Sequence, residues 1–186
     1  IDLNIRTTSV MTYYLLPNLM KNNRAHIINI SSLLSQYPVA YKTVYPASKA
    51  FIYSFSLGLR EELKNSPVKV SVALPGGMLT NKDVSLRMHR QNWIARAAIL
   101  SPEEVAQTIL DQAFRGKKVI IPGLINKFFW GLMKVIPCRL GIPLLSDIYR
   151  KEISNPEEHA EAMLSRISTI RRNCLGLKRH MAPQHE

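Results

Sequence analysis

Three short apolar runs, spaced by helix-length amphipathic segments, constrain this chain more than any other feature. HIINI (His26–Ile30), VKVSVAL (Val68–Leu74) and KKVIIPG (Lys117–Gly123) each read as a strand buried in a sheet. From about Val44 to Lys64, Phe51, Phe55, Leu59 and Leu63 recur every four residues and form one apolar helical stripe. In SPEEVAQTILDQAFRG, Ser101 suits an N-cap, Pro102 the first helical position and Glu104 a capping box, with Gly116 as the stop. Residues from about Leu3 to Met20 read as a helix ahead of the first strand. Strands alternating with helices pair in parallel through helical crossovers. The pattern therefore predicts an α/β fold of about three parallel strands with flanking helices.

The 186 residues suffice for one domain of ordinary size, and a formal net charge of +12 points to an acidic partner. The two cysteines, Cys138 and Cys174, form no CxxC pair and no Cys/His ligand spacing, so the sequence predicts neither a disulfide framework nor a metal site. A reducing cytoplasm is the expected compartment. The chain opens without methionine, in helical texture and with no signal segment, which suggests the later part of a longer protein.

The chemistry concentrates in VYPASKAF, Val44 to Phe51. Tyr45 and Lys49 stand four residues apart at a helix start, hence on one face. A free tyrosine titrates near pH 10, and a neighbouring ammonium favours its phenolate form. Such a pair is a general acid/base suited to the oxygen of a carbonyl being reduced or an alcohol being oxidised. Ser32, just after the first strand, is placed to give that oxygen a second hydrogen bond, since open parallel sheets bind ligands beyond the carboxyl ends of their strands. Ser32 with Lys49 also raises a serine–lysine hydrolase, but no GxSxG elbow is present.

NISS (Asn29–Ser32), YPASK (Tyr45–Lys49) and PGGMLT (Pro75–Thr80), in this order and with Ser32 thirteen residues before Tyr45, resemble the short-chain dehydrogenase/reductase family. LLPNLM (Leu15–Met20) resembles the helix that precedes that family's catalytic strand, and the likeness runs to about Gly123. It implies the later part of a Rossmann-like, doubly wound parallel sheet and an oxidoreductase that interconverts a carbonyl and an alcohol with NAD or NADP. By position it implies Tyr45 as proton donor and Lys49 as its partner and a ribose ligand. Ser32 would bind the substrate oxygen, and Asn4 would hold a water in the proton relay. Pro75, Gly76 and Thr80 would lie along the nicotinamide, where Gly76 and Gly77 allow close approach. The family also pairs into homodimers through helices that correspond to residues 5–20 and 45–64.

No glycine-rich phosphate-binding turn occurs in the sequence. The resemblance thus assigns the activity to a longer parent and leaves the isolated chain expected to be incompetent. The alternative is a catalytically inactive fragment or a membrane-associated binding module.

Three segments are expected: a partial catalytic domain over 1–123, a basic apolar helical segment over 124–150, and a helix with a polar tail over 151–186. By the resemblance, the basic stretch from Thr80 to Leu100 closes over cofactor and substrate, with Met78, Met88 and Trp93 as candidates to line an apolar pocket; from its residues alone it reads equally as a solvated basic loop with one packed tryptophan. No acidic residue lies between Asp111 and Asp147, where Lys127, Lys134 and Arg139 interrupt an apolar run containing Phe128, Phe129 and Trp130. That run has three readings: a helix packed on the body, a lid over a lipid-like substrate, or an interfacial helix on an anionic membrane. No recognised module supports a nucleic-acid surface.

Overall fold

A computed structural model describes residues 1–78 and 98–152. A π-helical turn (Asp2–Arg6) runs into helix α1 (Thr7–Leu19), followed by strand β1 (Ala25–Ile30) and a 3-10 turn (Leu33–Gln36). Helix α2 (Val44–Glu62) and strand β2 (Val68–Ala73) come next. Beyond the undescribed stretch follow α3 (Pro102–Phe114), β3 (Val119–Ile120), α4 (Leu124–Val135) and α5 (Cys138–Glu152). The anticipated tail helix, Cys174, Thr80, Met88 and Trp93 lie outside the described residues.

The three strands are parallel in the order β1-β2-β3, with Ala25 opposite Val68, Ile30 opposite Ala73, and Val72 opposite Val119. β2 is the central strand, and its Val70, Val72 and Ala73 are wholly buried. Residues of one sheet face, with Leu33, Ile52, Val72, Leu74 and Ile121, form one core cluster that Trp130 packs against. The other face buries Ala73 and Ile120 under Val105, Ile109 and Ala113 of α3. Helices on both faces give the doubly wound architecture expected from the alternation.

Local signals hold closely at α3. The Ser101 hydroxyl accepts from the Glu104 amide at 3.2 Å, and the Ser101 amide donates to Glu104 Oε2 at 3.1 Å. Gly116 ends the element with φ +78, a conformation that glycine adopts at little cost.

Two expectations are adjusted. β3 is shorter than the Lys117–Gly123 run. Val72 donates to Lys118 and Leu74 to Ile120, but the third-strand residue that would next donate back to β2, Pro122, has no N–H to give. The deeply buried face of α2 is Ser48, Ile52, Ser56 and Leu59, while Phe51 and Phe55 stack half-buried beside it at 5.7 Å. Small serines let the helix approach the sheet: Asn29 Nδ2 donates to Ser56 Oγ at 2.9 Å, and that hydroxyl donates to the Ile52 carbonyl. Arg60 fastens the far end by donating to the carbonyls of Val70 and Gly116.

His26 sits near the opposite, N-terminal ends of the strands, with its Nε2 accepting from Arg24 Nε at 3.3 Å and its ring edge-on to Phe114. Burial, then the charges of Arg24 and Lys69, hold the imidazole below its ordinary value of 6.5. The unfolded chain therefore binds more protons as pH falls through 6.5, and stability declines with acid in that window. Melting at about pH 7.5 and about pH 5.5 is expected to show a smaller acid loss in His26→Phe than in the parent chain. Equal losses would show that other groups carry the acid response.

Candidate active site

Parallel strands bring their carboxyl ends to one edge of the sheet, and most of the sequence-selected residues gather there. Beyond the last residue of β1, the Ser31 amide donates to the Ala73 carbonyl and the Leu33 amide to the Pro75 carbonyl. The loops after β1 and β2 are thereby tied together. Ser31, buried, donates its hydroxyl to the Lys49 carbonyl at 2.7 Å and fixes the first turns of α2 against the same edge.

Lys49 and Tyr45 share a face as the spacing predicts. The Lys49 ammonium lies 5.9 Å from the Tyr45 ring centroid and donates to the Ile30 carbonyl at 3.0 Å. Desolvation by burial holds the lysine below its ordinary 10.5. A cation with less water around it acts more strongly on a neighbouring phenol. Tyr45 is 44% exposed, and no hydrogen bond from a described residue engages its hydroxyl.

Ser32 is buried and caps the 3-10 turn, its Oγ accepting from the Leu34 amide at 3.2 Å. That contact uses a lone pair and leaves the hydroxyl proton able to donate. Ser32 makes no hydrogen bond to Tyr45.

Asn4 lies inside the π-helical turn, a widening that recurs at functional sites. Its Nδ2 donates to Ser48 Oγ at 2.9 Å, and Ser48 donates on to the Tyr45 carbonyl at 2.8 Å. Asn4 is thus coupled to the start of α2 through Ser48, a residue the sequence reading passed over although it lies within YPASK.

Pro75 is buried, and Gly76 and Gly77 follow half-buried. The open side of Gly76 is filled from within the protein. An added Cβ would stand 2.5 Å from Asn126 Oδ1. Asn126, only 3% exposed in the first turn of α4, donates to the carbonyls of Ala98 (3.0 Å) and Pro122 (2.9 Å). It joins the loops after β2 and β3 to the returning chain at Ala98. Sequence spacing gives no signal for it.

As a cofactor cradle, the arrangement fits a nicotinamide ribose in one respect: the partly desolvated Lys49 ammonium uses one of its three donors on Ile30 and has others to offer. The described residues include no glycine-rich turn at a helix start. Among them there is also no cluster of potential metal ligands and no helix long and apolar enough to cross a membrane.

Residues 1–91 match the family model for short chain dehydrogenase. A probable NADP-dependent dehydrogenase of Haemophilus influenzae is 34% identical over 115 residues, which make up 59% of this chain and 46% of that protein. The NADP-dependent 3-hydroxy acid dehydrogenase of Escherichia coli K12 is 33% identical over 114 residues, again 59% of this chain and 46% of that protein. The chain spans about half the length of these curated relatives. A short chain dehydrogenase from Burkholderia cenocepacia, solved in complex with NADP, superposes with a TM-score of 0.59 at 22% identity, covering 72% of this chain and 52% of that one. That superposition bears on the fold. Over its first 91 residues, the chain is similar to the short-chain dehydrogenase family.

Proposed function

We propose that residues 1–123 form the catalytic part of an NAD(P)-dependent oxidoreductase that interconverts a carbonyl and an alcohol. The observation that carries this reading is the Lys49 ammonium, held by Ile30 at the carboxyl end of β1 and one turn from the open hydroxyl of Tyr45. Tyr45 gives its proton to the carbonyl oxygen in reduction and recovers it in oxidation. Lys49 stabilises the phenolate left behind and offers its remaining donors to the ribose. Ser32 donates to the substrate oxygen, and Asn4 supports the relay while bracing α2 through Ser48. Pro75, Gly76 and Thr80 border the nicotinamide side. The bound cofactor supplies or accepts the hydride; the chain supplies orientation and the proton.

The relatives are named NADP-dependent, so NADPH is the first cofactor to try. Residues 124–150 form a basic apolar helical segment, for which peripheral membrane contact belongs to this reading, and 151–186 form a helix and polar tail. A homodimer through α1 and α2 suits α1, which buries none of its residues and exposes Met11, Tyr14 and Leu15.

The test is a fluorescence titration of the purified chain with NADPH and NADH. Saturable binding that weakens in Lys49→Met supports the reading. A folded chain that binds neither cofactor would remove the oxidoreductase role from these 186 residues.

A further inference from the structure

Helix α4 is apolar on two opposite sides. Asn126, Phe129, Trp130 and Met133 turn toward the protein, buried or half-buried. On the outward side Leu124 is 81% exposed, Phe128 67% and Val135 80%. Helix α5 repeats the pattern, with Leu140 and Leu144 exposed one turn apart. A helix apolar all round is ordinarily covered on every side, and contiguous exposed apolar surface marks an interaction site.

The setting of these side chains says what covers them. Lys127 and Lys134, exposed, run along one flank of the α4 stripe, and Arg139 stands at the start of α5. Lys134 places its ammonium 3.7 Å from the Trp130 ring centroid. No acidic residue occurs from 112 to 146. Lysines beside an apolar stripe would weaken a protein–protein interface, whose centre is poor in charge. They suit a bilayer surface, where acyl chains take the apolar groups and anionic headgroups take the cations. At 12 residues, α4 is about 18 Å long, too short to span a bilayer and long enough to lie in its plane.

The hairpin is also fastened beside the candidate active site. Tyr37 donates its hydroxyl to the Ile136 carbonyl, the Ala40 amide donates to Ser146 Oγ at 3.0 Å, and Lys42 lies over the Tyr149 ring. Residues 37–42 are the loop between Ser32 and Tyr45.

We propose that the outward faces of α4 and α5 dock in the plane of an anionic lipid bilayer. Docking there holds the loop between Ser32 and Tyr45 one helix layer from the membrane surface. Under the oxidoreductase reading, on which this last step rests, the substrate class is a lipid-soluble carbonyl compound or alcohol drawn from the bilayer.

The test is co-sedimentation of the full chain with vesicles of phosphatidylcholine alone and of phosphatidylcholine with about one-third phosphatidylserine. The expected result is salt-sensitive binding to the anionic vesicles, lost in Phe128→Glu/Val135→Glu. In Lys127→Gln/Lys134→Gln it is expected to weaken more than tenfold, since each basic residue at such a surface contributes roughly fivefold. Both pairs are exposed, and an unchanged melting temperature shows that they leave the fold intact. Failure of the parent chain to bind anionic vesicles at low salt overturns the proposal. So does undiminished binding by the Phe128/Val135 variant, or self-association of the parent chain through this face without vesicle binding. No cofactor takes part, so the result is independent of the NADPH titration.

Discussion

Tyr45→Phe is expected to lower kcat by about 10²–10⁴-fold, the range over which a positioned general acid or base acts. The change removes one oxygen from a side chain that is half in solvent and whose hydroxyl makes no hydrogen bond to a described residue. The fold therefore has little to lose, and the melting temperature is expected to stay where it was. Cofactor affinity is expected to stay as well, because the ribose contact is assigned to Lys49. Lys49→Met reaches further. It removes the cation beside the phenol, the tie to the Ile30 carbonyl and the ribose donor together, so KM for the cofactor rises while kcat falls. A steady-state comparison of the two variants separates the roles. If kcat of Tyr45→Phe lies within threefold of the parent, the proton comes from another group and the assignment fails.

Much of this was legible because it is local. A capping box needs only Ser101 and Glu104 three residues apart, and both of its bonds form. A central parallel strand needs a largely apolar run, and β2 has one, interrupted by Lys69 and Ser71. The phenol and ammonium meet because four residues make about one turn. The parts that were not legible depend on contacts between distant segments. Phe51 and Phe55 dominate the apolar stripe in the sequence, yet the buried face also carries Ser48 and Ser56, and the small size of Ser56 counts only once Asn29 of β1 stands opposite. The short β3 follows from Pro122, which stands where the strand would next donate to β2. The π-helical turn around Asn4 likewise leaves no mark in spacing. Helix α4 reads as apolar from its composition, but only packing tells which of its sides lacks a cover.

Gly76 shows the difference most clearly. In the sequence it stands where close approach of a cofactor would ask for glycine. In the structure the side a Cβ would occupy is taken by Asn126. Backbone conformation is not the reason, since Gly116 and Gly123 are the described glycines with positive φ. Space is, and the consequence is a coupling that can be measured. Gly76→Ala is expected to cost about 1–3 kcal/mol through overpacking against the Asn126 amide. Asn126→Ala is expected to cost about as much, because it leaves the Ala98 and Pro122 carbonyls without their donor. In the double variant the clash is gone and only the lost hydrogen bonds remain. Its destabilisation is expected to fall short of the sum by roughly 1 kcal/mol or more, as for residues in contact. Urea denaturation of the four proteins gives the cycle directly. Strict additivity would mean that Asn126 can swing away from Gly76 freely, and would return the glycine to the cofactor. A large coupling would mean that one amide of α4 sets the backbone at Gly76, so that what docks on the outside of that helix also bears on the geometry within.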